Sequence, residues 1–561
     1  MEEKAYELVL LVTAPLTAVL AALCAKLSRR RLFLYLGFFT WLSLCLWALA
    51  SSFTALERTE GAGKLYYAMG AWEEPLGIVL ELNGPSWIAV AALLLIASAL
   101  WLISLSSRDF DAYFFLFFAL VVFTLNGIFL GRDLFNLFVL FEILSLSAML
   151  LIAYDRSGPA LLATLRYLMM STVSIMFFLF GLWIIYRESG SLALGSVDTS
   201  TTAMGFAAAA LYIGLLTRGA LIPFHSWLPE AHTAAPYPAS ALLSGFVVKA
   251  PLFVLLHLQI SMGPAPVDRF LVHLGLVSAL AGGLFAFVQR DAKKVLAYLT
   301  VSQMGLLTAG FAAAWSAQEA GAAGAAAAAA ALLLALLAHG LYKSLLFLSI
   351  GELTHRVGSR DTETVRGLFR LSPLKSILFF VGAASLAALP FSAGYGGKFL
   401  LSKVLASHPL SILAYAAAAL NFAALVKLSR MWTGRPSAGV ERCIEERNRK
   451  QGDQPSPIPS FLGHLLLAGA LISLGIFPQG FLHIAARLSG SLEEGHSFVL
   501  SNTAWYSPPE LLKLAGIIVT GTLLFSLGNR FEGRGMGKQS FNTSMRLMTG
   551  GIILFILLAA I

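Results

Sequence analysis

The stretch "GRDLFNLFVLFEILSLSAMLLIAY", Gly131 to Tyr154, decides how the chain is read. From Leu134 onward it is an apolar run long enough to cross a bilayer as a helix, yet Glu142 lies in its middle. An ionised side chain at that depth costs on the order of 2.5–3.5 kcal/mol to insert. Either the run is not in a membrane, or the carboxylate is compensated and used. Composition settles the first alternative. Of 561 residues, 58% are hydrophobic and 12% are charged, about half the charge density of a soluble domain. The chain reads as an all-α polytopic membrane protein.

Sixteen spans are predicted, near residues 7–27, 31–52, 86–106, 111–130, 133–154, 160–186, 204–229, 236–260, 268–289, 292–314, 325–353, 374–403, 408–432, 459–481, 509–528 and 542–561. The pattern supports fourteen of these more strongly than the last two. The net charge is +9, and its distribution alternates. Basic residues gather in every second connection: Lys26 with Arg29 to Arg31, Arg156, Arg290 with Lys293 and Lys294, Arg356 with Arg360 and Arg366, then Arg435 to Lys450, then Arg530 to Lys538. The opposite connections ("AWEEPLGIVLELNG", "SMGPAPVD", "SGSLEEGHS") are acidic or neutral. The positive-inside rule then places both termini outside a cell membrane. The first residues are acidic before the apolar run and basic after it, the reverse of a cleavable signal.

Other classes of function drop out. No basic face is interleaved with aromatic residues, so nucleic acid is not an expected partner. Cys24, Cys45 and Cys443 show no ligand spacing, so no metal, cofactor or disulfide framework is expected. The long polar segment 433–458 reads as a cytoplasmic loop whose charge mostly serves solvation.

With the spans placed, six ionisable residues lie inside them: Glu142 in the fifth, Arg218 in the seventh, Lys249 in the eighth, His339 and Lys343 in the eleventh, and Lys398 in the twelfth. A single one of these could be a snorkelling lysine. Six spread over five helices point instead to a proton or ion path. His339 and Lys343 are one turn apart and share a face. Two spans also hold helix breakers, at Pro223 in "TRGALIPFHSWLPEAH" and at Pro390 in "AALPFSAGYGGKFLLSK". A broken helix beside a cation in each half is the pattern of transporters built from inverted repeats. The breaks are five spans apart, which predicts two inverted five-helix repeats. The resulting division is 1–110 for N-terminal helices, 111–260 for spans four to eight, 268–432 for spans nine to thirteen, the loop 433–458, and 459–561 for C-terminal helices.

These segments, together with "LIPFHSWLPEAHTAAPYPASALLSGFVVK", "VQRDAKKVLAYLTVSQMG" and "HGLYKSLLFLSIG", resemble the antiporter-like proton-translocating subunits. That family comprises large membrane subunits of respiratory complex I, of membrane-bound hydrogenases and of multisubunit Na+/H+ antiporters of the Mrp type. The wording "DLFNLFVLFE" and "YGGKF" looks most like the D-type subunit of Mrp antiporters. The resemblance spans roughly residues 65 to 430. It implies that Glu142 pairs with the seventh-span cation, and that Lys249, His339, Lys343 and Lys398 continue a hydrated polar axis along the membrane midplane.

Three departures qualify this. Arg218 stands where such proteins carry lysine, and arginine holds its proton at any accessible pH. Pro251 and Phe253 follow Lys249 in place of glycine and tyrosine, and Asn83 replaces an acid. His225 and His232, flanking "SWLPE", are candidates for proton entry, with helix-end hydrogen bonding as the alternative role. The implied function is a proton-translocating subunit of a multisubunit complex, coupled to sodium as in an Mrp-type antiporter. The alternatives are a redox-driven complex of the hydrogenase or complex I kind, or a scaffold subunit with a vestigial path. Partners would be other membrane subunits, protons, Na+ and lipid. The chain carries no redox or hydrolytic site of its own, so any oxidoreductase activity would belong to a larger assembly.

Overall fold

The computed structural model describes residues 5–58, 63–72, 74, 77–196, 201–262, 267–316, 321–406, 408–449, 458–489 and 507–532. Among these, thirteen helical segments are long and apolar enough to cross a membrane, with two shorter apolar helices at Thr202–Arg218 and Pro373–Leu386. Fifteen of the sixteen predicted spans fall on helices. The sixteenth, 542–561, lies outside the described residues. The loop 433–458 is not wholly irregular, because Ala438–Arg449 is an amphipathic helix that buries Val440. The fourteenth span ends at Ile476 and a separate helix, Pro478–Ser489, follows it.

The ninth and tenth spans, Val267–Val288 and Ala292–Ser316, pack at very close range. A Cβ at Gly275 would lie 2.6 Å from Gly305 O, and one at Gly305 would lie 2.5 Å from Gly275 O. Such mutual glycine contact brings helix backbones together where lipid supplies no hydrophobic drive.

The two broken spans terminate alike. The seventh runs Thr202–Arg218 and resumes at Phe224–Ser226 and Trp227–Ala234; the twelfth runs Pro373–Leu386 and resumes at Ala393–Leu405. Each first half is capped by a residue in the right-handed region, Gly219 (φ −71°) or Ala387 (φ −72°). The next residue is a left-handed alanine, Ala220 or Ala388, both at φ 57°. The N–H of the following leucine then reaches back five residues, Leu221 to Leu216 O (3.3 Å) and Leu389 to Ala384 O (3.0 Å). Left-handed alanine costs roughly 1–2 kcal/mol, so both halves of the chain hold the same strained turn, in "GALIPF" and "AALPF".

In the twelfth span the second half folds back tightly. A Cβ at Gly394 would lie 1.8 Å from Ser385 O. Gly394→Ala is therefore expected to push the two half-helices apart and to cost about 1–3 kcal/mol, measured as a lower melting temperature of the purified protein.

Among the described residues one hairpin departs from the helical pattern. Strands β1 (Leu65–Ala68) and β2 (Val79–Leu82) form an antiparallel hairpin with Leu65 opposite Leu82. It falls within the predicted outer connection before the third span, where the short alternation of "VLEL" gave no distinct signal. Glu81 in β2 meets Lys64 at 3.2 Å and Arg132, which also holds Glu74 at 2.8 Å. Burial alone would raise the Glu81 carboxyl; the charges of Lys64, His257 and Arg132 outweigh it and hold the group below its ordinary value. A carboxylate depressed in the folded state stabilises above its unfolded pKa, and that contribution disappears as pH falls through the folded value. Glu81→Gln should thus lower stability at pH 7 by about 1.5–3 kcal/mol. The gap to wild type should close below the ordinary carboxylate value of 4.5, as read from melting curves across acid pH.

Candidate functional site

The expected pair forms. Arg218, at the last turn before the first break, lies 3.2 Å from Glu142 Oε1. Its guanidinium also donates to Phe141 O at 3.2 Å and to Ser145 Oγ, and sits 5.1 Å above the Phe141 ring. Arginine's planar fork suits this arrangement, with several acceptors met at once. The two partners are unequally enclosed. The Arg218 side chain is 9% exposed and that of Glu142 is 41% exposed, so the acid sits at the lateral rim of the bundle and not in its interior.

A small cavity of about 20 Å³ leads from Arg218 past Tyr167 and Trp227 to Val247 and Pro251. There the eighth span holds a third interruption, which was not predicted although Pro251 follows it directly and denies a backbone bond to Val247 O, four residues back. Its helix stops at Gly245, Phe246 leaves helical geometry (φ −135°), a short 3-10 turn covers Val247–Lys249, and the helix resumes at Ala250. Lys249 is buried and its ammonium donates to Ser244 O. Lys398 does the equivalent in the twelfth span, donating to Leu386 O, the last residue of the first half-helix. Terminal carbonyls of a helix lack intrahelical partners and carry the negative end of its dipole. Each lysine thus finds its counter-charge in a helix end that the break exposes.

Between these two lysines the contacts continue. Ser244 Oγ lies 3.0 Å from Thr300 Oγ1, which donates to Leu296 O at 3.1 Å; Lys343 Nζ donates to the same carbonyl at 2.8 Å. Two glycines let the eighth and eleventh spans meet here: a Cβ at Gly340 would lie 3.0 Å from Gly245 O, and one at Gly245 only 2.5 Å from Ser344 Oγ. His339 follows one turn along, its ring 5.3 Å from that of Tyr342. A cavity of about 10 Å³ joins His339, Tyr342 and Gln303 to Lys398, about the room one water needs. Lys249, His339 and Lys343 are all buried. Among the described residues no carboxylate lies within 4 Å of Lys249, Lys343 or Lys398.

The six predicted residues therefore fall into two groups, the Glu142–Arg218 pair at the rim and a chain of contacts and a small cavity from Lys249 through Lys343 and His339 to Lys398, with the cavity beside Arg218 and Val247 between them. Ser244 and Thr300, which belong to that chain of contacts, were not predicted. A serine or threonine in an apolar helix ordinarily bonds its own backbone, and only the packing of the eighth span against the tenth reveals the link. His232 is fully buried and neither ring nitrogen has a protein partner. His225 is partly buried and stacks on Phe285 at 5.7 Å. The two histidines lie on the same broken helix but in different surroundings. Asn83, where an acid was expected, caps the third span by accepting from Ser86 N at 2.9 Å and reaches Glu81 and His257 through its amide.

Residues 131–422, just over half of the chain, match the family described as NADH:quinone oxidoreductase/Mrp antiporter, transmembrane. The chain is 25% identical over 413 residues to the D subunit of the Na(+)/H(+) antiporter of Alkalihalophilus pseudofirmus, covering 72% of this chain and 82% of that protein. It is 31% identical over 340 residues to antiporter subunit mnhA2 of Staphylococcus aureus, covering 58% of this chain but 42% of that longer protein. The chain thus spans less than half the length of the staphylococcal relative. Its fold resembles that of a chain in the Mrp complex from Dietzia, with a TM-score of 0.74 at 21% identity, covering 91% of this chain and 99% of that one. The chain belongs to the NADH:quinone oxidoreductase/Mrp antiporter transmembrane family.

Proposed function

We propose that the chain is a proton-translocating subunit of a multisubunit membrane complex, most nearly the D-like component of an Mrp-type cation/proton antiporter. The observation that carries this reading is the burial of charged and polar groups between Glu142 and Lys398 on six spans of an otherwise apolar bundle, with Lys249, Ser244, Thr300 and Lys343 joined by hydrogen bonds through Leu296 O. Such an arrangement is costly to maintain in an apolar bundle. The twin breaks with their left-handed alanines support two inverted repeats, 111–260 and 268–432.

Within this reading the residues divide by chemistry. Arg218 pairs with the Glu142 carboxylate and acts on Lys249 through its field; it relays nothing itself. Lys249, Lys343, His339 and Lys398 are the exchanging groups, because an amine or an imidazole, unlike a guanidinium, can both take up and release a proton. Serine and threonine hydroxyls between them can pass a hydrogen bond along. Glu142 at the lateral rim calls for a neighbouring subunit to cover it, since a carboxylate facing lipid is costly; the assembly supplies that cover.

The test is proton flux in proteoliposomes containing the co-purified complex, driven by an imposed Na+ gradient, for wild type and Lys398→Ala. Flux is expected in wild type, with a loss of at least tenfold in the variant. Equal flux in both would defeat the proposal.

A further inference from the structure

A vestibule opens on the basic side of the bundle, apart from the line just described. Its volume is about 290 Å³, room for on the order of ten waters. Asp109, Tyr154, Asp155, His355 and Arg360 line it; Asp109, Asp155 and His355 are exposed, and Lys293, only 6% exposed, forms the floor. Lys293 opens the tenth span, in the segment "RDAKKVLAY".

The surroundings of Lys293 do not neutralise it. Asp291 caps the helix by accepting from Lys293 N and Lys294 N, at 2.8 and 3.2 Å. Its other oxygen is taken by Arg360 at 3.1 Å, and Lys294 holds Glu230 at 2.9 Å. Among the described residues Lys293 has no carboxylate within 4 Å. Its Nζ donates to Ala235 O at 2.7 Å and lies 3.5 Å from Ser240 Oγ, the hydroxyl that bonds His232 O at 2.8 Å. A helix N-terminus is also an unfavourable place for a cation. A purely structural lysine would be expected to find an acid here, and acids are available one residue away.

A stripe on the eleventh span connects this floor to the charged line. Gly351, Phe347, Lys343 and His339 recur every four residues and so share a face. A Cβ at Gly351 would lie 3.6 Å from Lys293 Cε, which puts the lysine stem over that position. One turn on, the Phe347 ring is 5.2 Å from the ring of His232, and one turn further is Lys343. From Gly351 to Lys343 is about 12 Å of helix.

Resting on the function proposed above, we infer that Lys293 is the residue through which protons enter from the basic-side solution, passing them by way of His232 to Lys343. Hydronium in the vestibule gives its proton to the neutral Lys293 amine. The ammonium then gives one proton to a free ring nitrogen of His232, across a gap that water bridges, and returns to the neutral amine. The net change is the displacement of one proton toward Lys343. His232 thereby acquires a defined supplier, while His225, stacked on Phe285, is not on the route.

Lys293→Arg separates transfer from structure, because arginine keeps the charge and the bond to Ala235 O but holds its proton. In the reconstituted complex, both Lys293→Gln and Lys293→Arg are expected to cut flux at least tenfold, with the melting temperature of the arginine variant unchanged. Wild-type flux in Lys293→Arg would overturn the inference; absence of flux in wild type would instead defeat the proposed function. Asp155→Cys tests the mouth. Treating that variant with a bulky membrane-impermeant maleimide on the basic face should block flux relative to the same vesicles untreated, with wild type treated in parallel. Unchanged flux after full labelling would overturn the vestibule as the entrance.

Discussion

Replacing Lys343 by methionine is expected to reduce proton flux through the reconstituted complex at least tenfold, and to leave the melting temperature equal to wild type or higher. The two halves of that expectation have one cause. Lys343 is fully buried, and its ammonium rests on Leu296 O with no carboxylate nearby. An uncompensated buried charge destabilises a fold, and an apolar side chain of similar length removes that cost without opening a cavity. A residue kept for stability would show the opposite sign. Lys343 also joins the contacts from Lys249 to those leading through His339 to Lys398, so its loss interrupts the line at its centre. Lys343→Arg should fail as well, since it keeps charge and reach but cannot release a proton. Flux retained in the methionine variant would remove Lys343 from the path. A lower melting temperature with flux retained would make it a structural residue.

The sequence disclosed the ionisable residues because each is an anomaly in its window: a charge in an apolar helix stands out whatever surrounds it. The helices were legible for the same reason, since length and hydropathy are nearly sufficient in a bilayer. Proline marked two breaks. The third, at Phe246, was missed although Pro251 lies five residues on: its ring crowds Val247 O and supplies no N–H to it, which puts the break on the N-terminal side of the proline. Pairings between uncharged groups were illegible throughout. Ser244 and Thr300 look like ordinary serine and threonine until the eighth and tenth spans are packed together. Lys293 was visible only as one member of a basic loop that fixed orientation, and its burial beside Gly351 gave it a different meaning. The exposure of Glu142 could not be read from hydropathy at all, because which face of a helix turns outward is decided by how the spans pack.

That exposure shapes the other large effect. Removing Glu142 from the Glu142–Arg218 pair should cost about 3–5 kcal/mol, because a buried charge is left without its partner, and removing Arg218 should cost less, because the carboxylate left behind is 41% exposed. Arg218→Met leaves a carboxylate facing the lateral surface with no cation. Glu142→Gln leaves a guanidinium that is 9% exposed with only Phe141 O and Ser145 Oγ as acceptors. In the double variant Glu142→Gln/Arg218→Met no charge remains to be stranded, so its cost should fall short of the sum by at least about 1 kcal/mol. Melting temperatures of the four proteins close this cycle. Flux then divides the pair's structural part from its functional one. If Arg218 works by holding a charge, Arg218→Lys should conserve flux while the double variant, though stable, should lose it. A double variant that is both stable and fully conducting would confine the pair to architecture. The path would then begin at Lys249, and Arg218 would stand as the mark of a first half-channel whose charge is anchored rather than exchanged.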